Sequence, residues 1–552
     1  MASLMAREKR GLWSRLLGND FLDKFIFLIL LKFYSMPILK FKISKQKPEY
    51  FITRFALLRL LGFVYFFAFL SLATQVIPLI GENGLLPAKN FLETFRFDSK
   101  LDAFFNLPTI FWFGISDNML LVLSWIGVIL SFIVVIGFAN IPIMLVLWFL
   151  YMSFVHIGQL FYGYGWEIQL LETGFLAVFL CPLWDFRPFP RTAPPKLVIW
   201  LFRWLAFRIY LGAGLIKIRG DSCWRDLTCL YYHYETQPIP NPLSPYFHFM
   251  PKWFHMLGVL WNHFVELIVP FFAFYPQIAR HIAGILMISF QFILMLSGNL
   301  SFLNWVTIIP VIACFDDSFL RKIMPKWVTS RAEYGLMHKR TYKPQKIIAW
   351  ILVIAIAWLS IPVVQNLLSS GQYMNTSFNQ WGLVNTYGAF GSVGKIRPEL
   401  VIEGTDEIAI TFQTKWKAYE FKAKPTDIYR KLPIIAPYQP RIDWQIWFAA
   451  MQRPEHNPWL IHMIWKLLDN DKDTLSLLAD NPFPNNPPKY IRVGYYKYSF
   501  APLNDKSGAV WEQGVHRAMA ASAVKNKSRI AAIHQGLWVE KLKNLTLKNK
   551  TH

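Results

Sequence analysis

The stretch Leu211–Pro242 reads LGAGLIKIRGDSCWRDLTCLYYHYETQPIPNP. An apolar helix ends in Lys217, the backbone turns at Gly220, and Cys223 and Cys229 follow six positions apart. A run of aromatics closed by prolines completes the segment. A terminal lysine on an apolar helix snorkels to a membrane interface. The stretch therefore reads as the exit of a membrane span into a large loop.

Composition extends that reading to most of the chain. Of the 552 residues 54% are hydrophobic, with 48 Phe, 23 Trp and 23 Tyr, and only 16% are charged. A soluble chain carries about a quarter charged residues. Apolar stretches near the about 20 residues needed to cross a bilayer recur through the first two-thirds. One soluble core could not hide them all. The expected fold class is a polytopic α-helical membrane protein of nine spans with a small C-terminal α+β luminal domain. The spans are placed near 57–77, 119–138, 141–160, 168–184, 197–216, 256–275, 279–297, 300–315 and 347–364, with Pro142 and Pro310 as candidate kinks.

The net charge of +23 does not point to nucleic acid. The basic residues lie in blocks beside apolar segments instead of one continuous patch, and membrane lipids are the partner that such blocks fit. Four cysteines are too few for a disulfide scaffold. The run Phe25–Leu31 is short, has no small-residue cleavage site and is followed by lysines. The first span is thus expected to act as the targeting signal.

Nine spans put the termini on opposite sides. With the N-terminus inside, the cytoplasmic segments (1–54, 185–196, 276–280 and 316–346) carry 23 Lys and Arg; the opposite loops (78–118, 161–167, 217–255 and 298–299) carry 7. Basic residues stay on the cytoplasmic side, so the C-terminal region is expected in the lumen, or in the periplasm of a bacterium. The domains expected are a basic cytoplasmic segment 1–54, a multispan domain 55–369 with its large luminal loop 217–255, a luminal α+β domain 370–502, and a basic tail 503–552. Within the α+β domain, ELVIEG, EIAITF and AYEFKAK alternate like strands over 398–424, with Gly404 and Asp406 as turn signals. Lys489–Phe500 alternates again. Trp444–Met451 and Pro458–Leu468 read as amphipathic helices, and Asp473 or Thr474 as the cap of another through Leu478.

Several segments carry a family likeness. Besides Leu211–Pro242 they are GENGLLP (Gly81–Pro87), YGWEIQLLETGFLAVFLCPLW (Tyr164–Trp184), SGNLSFLNW (Ser297–Trp305) and ACFDD (Ala313–Asp317). NTYGAFGS (Asn385–Ser392), YEFKAKP (Tyr419–Pro425) and LLADNPF (Leu477–Phe483) continue the series to about residue 500. In this order they resemble the lipase maturation factors. These are multi-pass membrane proteins of the endoplasmic reticulum that help certain secreted lipases reach their active dimeric form. The resemblance implies a chaperone-like maturation factor, not an enzyme, with client secreted lipases as partners and no cofactor.

Candidate site residues are weighed beside that implication. Cys223 and Cys229, in the large loop of an oxidising compartment, are expected to form a structural disulfide. Free thiols, a catalytic pair or metal ligation through His233 are the alternatives. Cys181 and Cys314 read as small packing residues. Glu172, Arg203, Arg208, His263, Glu266, Arg280 and His281 lie within spans, where a charge costs about 2.5–3.5 kcal/mol on insertion scales. Buried ion pairs or a polar cavity account for them, and His263 and Glu266, three apart, share a helix face. Lys217, with Trp224 seven positions on, is faintly similar to the vitamin K-dependent gamma-carboxylase pattern. That likeness implies an alternative reading: an integral-membrane enzyme with Lys217 as base and a quinone-like cofactor. The aromatics from Tyr231 to Tyr246, with Trp444, Trp447, Phe448, Trp459 and Trp465, read as core, interfacial belt or an exposed client surface.

Overall fold

The computed structural model describes residues 48–452, 456–515 and 523–524. The run Phe25–Leu31, most of the basic N-terminal segment and most of the basic tail lie outside them.

Helix α1 (Phe51–Ala73) is 23 residues dominated by Phe, Leu and Ala, with no proline inside it. Helix α2 (Asp117–Ile136) starts where the Ser116 side chain accepts the Met119 N–H, and ends at Gly137 with φ 130°. The two lie side by side because Gly127 of α2 faces the ring of Phe69; a Cβ there would sit inside the ring's contact distance. Helix α3 (Ile141–Ile157) is capped by Asn140, whose Oδ1 accepts from the Ile143 N–H at 3.0 Å. Pro142 falls in its first turn, where a missing N–H leaves nothing unpaired. It kinks nothing. Helices α4 (Gly165–Val178), α5 (Lys196–Arg219), α6 (Lys252–Phe274), α7 (Gln277–Ser297), α8 (Leu303–Ile312) and α9 (Lys343–Leu368) follow. Pro310 lies within α8, which stops two residues later.

The expectation of nine spans is corrected. Among the described residues six helices, α1, α2, α5, α6, α7 and α9, are long and apolar enough to cross a bilayer. Helices α3, α4 and α8 stand at predicted positions with only 17, 14 and 10 residues. A helix enclosed by protein does not have to match bilayer thickness, and Val306 to Ile312 of α8 are all buried. Hydropathy reads apolarity and cannot tell such a helix from a lipid-facing one.

Hydrogen bonds define two ends of the bundle. At the first, the Phe51 and Ile52 N–H groups donate to Asp317, Arg54 donates to the carbonyls of Pro190 and Thr192, and Arg280 donates to Asp316 at 2.7 Å. At the second, Ser71 of α1 and Gln75 just beyond its end donate to the Gln439 carbonyl at 2.7 and 2.8 Å. There, Asn299 also bonds to the carbonyls of Pro240 and Pro433.

The C-terminal region sits on that second end. Its antiparallel sheet has the order β2-β1-β3-β4, with β1 (Arg397–Thr405) paired to β3 (Tyr490–Phe500) from Arg397 opposite Tyr498 to Thr405 opposite Tyr490. Strand β2 is only Lys417–Ala418. Strand β4 (Trp511–Val515) extends the sheet beyond the expected boundary at 502, and β5 (Ala523–Val524) also pairs with β3. The expected strand at Glu407–Phe412 does not form, and AYEFKAK contributes only Ala418 of β2 and a bridge at Phe421. Helices α10 (Arg441–Met451) and α11 (Pro458–Leu468) stand where expected, α10 three residues earlier. Asp471, not Asp473 or Thr474, caps the short helix Lys472–Leu475 by accepting the Thr474 N–H at 2.9 Å.

Side-chain bonds weld this region to the bundle. Arg441 donates to Glu167 of α4 at 2.5 Å and to the Phe161 carbonyl at 2.8 Å. Arg397 donates to the carbonyls of Glu235, Gln237 and Pro238 and pairs with Glu399, which also meets Lys424 at 3.2 Å.

Candidate functional site

The quoted LGAGLIK turn of α5 is built for close approach. A Cβ on Gly212 would lie 2.5 Å from the Tyr387 carbonyl, and one on Gly214 would lie 2.6 Å from Leu267 and 3.0 Å from Glu266. Helix α6 changes register at that contact: Lys252–His263 is α, Phe264–Ile268 is π, and Val269–Phe274 is 3-10. A π turn inserts one residue into the helix and re-aims its side chains. Here it turns Glu266 onto Lys217.

Lys217 Nζ donates to Glu266 Oε1 at 2.6 Å, Glu266 Oε2 at 2.7 Å and Asn262 Oδ1 at 3.0 Å. Asn262 Nδ2 donates back to Glu266 Oε2 at 3.0 Å, and the Lys217 nitrogen lies 5.2 Å from the Trp224 ring centre. A base needs a lone pair aimed at its substrate. Every donor direction of this nitrogen is already taken, so the geometry is that of an ion pair.

The large loop after α5 is pinned beside this pair. Cys223 and Cys229 are disulfide-bonded, with Cα atoms 4.8 Å apart. Asp221 accepts the Cys223 N–H at 3.0 Å, and the Trp224 indole donates to the Phe390 carbonyl at 2.8 Å. His263 Nε2 lies 3.0 Å from the Trp224 carbonyl. His263 and Glu266 therefore serve different partners, the π turn having separated the face they were expected to share. His233, buried against the edge of Phe390, is pushed down to about 4 by burial and then by the charge of Lys217.

The other intramembrane residues form separate groups. Arg208 and Glu172 are ion-paired, and Glu172 also accepts from the Asn385 N–H at 3.0 Å and the Tyr387 hydroxyl at 2.6 Å. Arg203 donates to the Ala313 carbonyl and the Tyr50 hydroxyl, both at 2.8 Å. Arg280 and His281 converge on Asp316 at the first end. Hydrogen bonds from His281 and Ser318, with the charge of Arg280, hold the Asp316 carboxyl below its usual range against the opposing effect of burial. Cys181 and Cys314 are buried free thiols. Glu167, Arg441, Asn262 and Asp316 were not singled out from sequence. Asp316 and Arg280 are 36 positions apart and Glu167 and Arg441 are 274 apart, which leaves no local signal; only Asn262 has a near partner, Glu266 four residues on.

A cavity of about 970 Å³ lies beside the Lys217 pair. Its walls come from α4, α5, α6, α7 and α8, from Ala389 to Ile396, and from Trp444, Trp447 and Phe448 of α10. Among the described residues no group of three His, Cys, Asp or Glu is placed to hold a metal ion.

Residues 52–322 match the lipase maturation factor transmembrane domain and residues 383–521 match the lipase maturation factor C-terminal domain. The chain belongs to the lipase maturation factor family. It is 47% identical to human lipase maturation factor 1 over 86% of this chain and 87% of that protein. Identity to the mouse lipase maturation factor 1 is 48%, over 82% and 83% of the two chains. Lipase maturation factor 2 of Xenopus laevis is 28% identical over 83% and 80%. No solved structure matches. The cavity draws its wall from both matched regions of the lipase maturation factor pattern: Lys217 and Glu266 from the first, and Tyr387 to Ile396 with α10 from the second.

Proposed function

We propose that this multi-pass membrane protein is a maturation factor that assists folding and assembly of secreted lipases at the luminal face of the endoplasmic reticulum membrane. The observation that carries this reading is the 47% identity to human lipase maturation factor 1, continuous through membrane and C-terminal regions. Client lipases come to the chain by that relation.

The two bundle ends support the orientation. The C-terminal sheet, the disulfide-pinned loop and Asn299 share one end. Residues 49–54, 187–192, 280–281 and 316–340 share the other, and ten residues of these four segments are Lys or Arg. Positive segments stay cytoplasmic, which leaves the sheet in the lumen. Reporter fusions after residues 340 and 370 should fall on opposite sides of the membrane. Both on one side would remove this orientation.

The function is tested by co-expressing a dimeric secreted lipase with the full chain in cells that lack their own maturation factor. Secreted lipase activity should rise with no change in lipase synthesis. Unchanged specific activity would end the maturation reading.

A further inference from the structure

The cavity beside Lys217 reaches the flanks of α6 and α7. Helices α6 and α7 meet at the hairpin turn Tyr275–Pro276, where the 3-10 and π turns of α6 pack on α7. The first three turns of α6 then diverge from α7, and the cavity occupies the gap. Phe247 of the short helix Ser244–His248 also lines the cavity. Ser244 donates to the Ser297 carbonyl at 2.7 Å, and Asn241 donates to the carbonyls of Met295 and Leu296, both at 3.1 Å.

The residues flanking the gap belong to both the inside and the outside. Trp253 and Leu257 of α6 line the cavity yet are 62% and 55% exposed, and Ile293 of α7 lines it and is 40% exposed. These are bilayer-spanning helices, so their exposed flanks face hydrocarbon. The mouth is a portal to the membrane interior.

The walls state what can enter. Protein interiors rarely leave voids beyond the size of a water molecule, and apolar cavities of this kind stay dry and take apolar ligands. The volume is at the upper end of the roughly 300–1,000 Å³ of small-molecule sites. Several polar groups on the wall bond one another: Gln169 to Thr307 at 3.0 Å, Gln291 to the Tyr210 hydroxyl at 2.9 Å, and Asn304 to Gln291 at 2.9 Å, while the Trp261 indole nitrogen has no partner. Lys217, the nearest cation, spends its three donors on Glu266 and Asn262. No free charge is left to hold an ionic headgroup.

We propose that the cavity between α6 and α7 binds the hydrocarbon chain of a membrane lipid, inserted laterally with its headgroup left outside the portal. This goes beyond lipase maturation and does not depend on it, because it is measured on the purified protein. The two sources of such a chain are an intact phospholipid and a free fatty acid.

The full chain in phosphatidylcholine nanodiscs is exposed to phosphatidylcholine carrying a diazirine at the end of one acyl chain, or to a diazirine fatty acid. Crosslinked peptides are mapped after photolysis. The peptides containing Ala213, Leu257 and Leu294 should be labelled above the lipid-facing residues Ile129 of α2 and Trp358 of α9. Ala213→Trp and Leu294→Trp, which fill the cavity, should each lower that labelling tenfold or more, the factor given by about 1.4 kcal/mol of affinity. Labelling of Ile129 and Trp358 should not change. Retention of the Cys223–Cys229 bond and of the wild-type melting temperature shows that each variant is folded. Labelling by phosphatidylcholine assigns the chain to an intact lipid; labelling by the fatty acid alone assigns it to a free acid. Cavity peptides labelled no more than Ile129 and Trp358 in the wild-type protein would overturn the proposal, whatever the variants do. So would labelling that neither folded variant reduces.

Discussion

Two carboxylate–cation pairs cross the same bundle and do different work. Glu172 serves Arg208, the Asn385 N–H, the Asn385 amide and the Tyr387 hydroxyl, all buried. Glu266 serves only Lys217 and Asn262, and space lies on its other side. The number of protein groups depending on a carboxylate separates a fastening from a wall. Glu172 holds the Asn385–Ser392 segment onto the membrane helices, whereas Glu266 neutralises a charge at the edge of a cavity.

The largest expected effect breaks the fastening. Glu172→Ala leaves Arg208 unpaired in the interior, which costs about 3–5 kcal/mol. Thermal unfolding in detergent should show the loss. The double change Glu172→Leu with Arg208→Met should fail to restore stability, because the Asn385 N–H and the Tyr387 hydroxyl remain unpaired. Recovery would place Glu172 in the same class as Glu266.

Next in size is a pH effect on the loop beside the cavity. His233 is held near 4 in the folded protein against an ordinary 6.5. A lowered folded value means stability that is full above pH 6.5 and is lost as pH falls through 4. The loss amounts to about 3 kcal/mol at about 1.36 kcal/mol per unit. Its nearest charge is Lys217, and its ring faces Phe390. After division by the intrinsic exchange rate at each pH, the protection of Leu230–Thr236 should fall between pH 6.5 and 4.5 in the wild-type protein. In His233→Gln the same change should be smaller; an equal change would assign the effect to other groups.

Removing the Cys223–Cys229 bond with paired serines should cost about 2 kcal/mol, the closure entropy of so short a loop. The cost should fall on exchange in the 221–236 loop and leave α1 and α2 protected. The smallest effect sharpens the contrast. Lys217→Met with Glu266→Met should change stability by no more than about 1 kcal/mol, since both charges leave together. A loss like that of Glu172→Ala would erase the distinction between the two pairs.

The long spans were legible because lipid-facing helices are apolar all round: α2 exposes Ile126, Ile129 and Phe132. Helix α8 was over-read as a span because a helix enclosed by protein has the same composition. The segment Glu407–Phe412 alternates as a strand should, yet Ile408, Ile410 and Phe412 are exposed and β2 offers only two residues of partner. Trp511, buried against Phe500 at 4.3 Å between rings, was a signal of β4 inside a segment read as tail. Glu167 and Arg441 were invisible: one stood in an assumed loop, the other at the start of a helix, 274 residues apart.

The bond from Gln75 to the Gln439 carbonyl joins residues 364 positions apart. A ribosome adding roughly 5–20 residues per second needs about 20–70 s to cover that interval. Throughout it, Ser71 of α1 and Gln75 just beyond its end wait with their eventual acceptor still unmade. Docking of the C-terminal region on this end of the bundle is therefore a late step of synthesis, completed only when the last quarter of the sequence arrives.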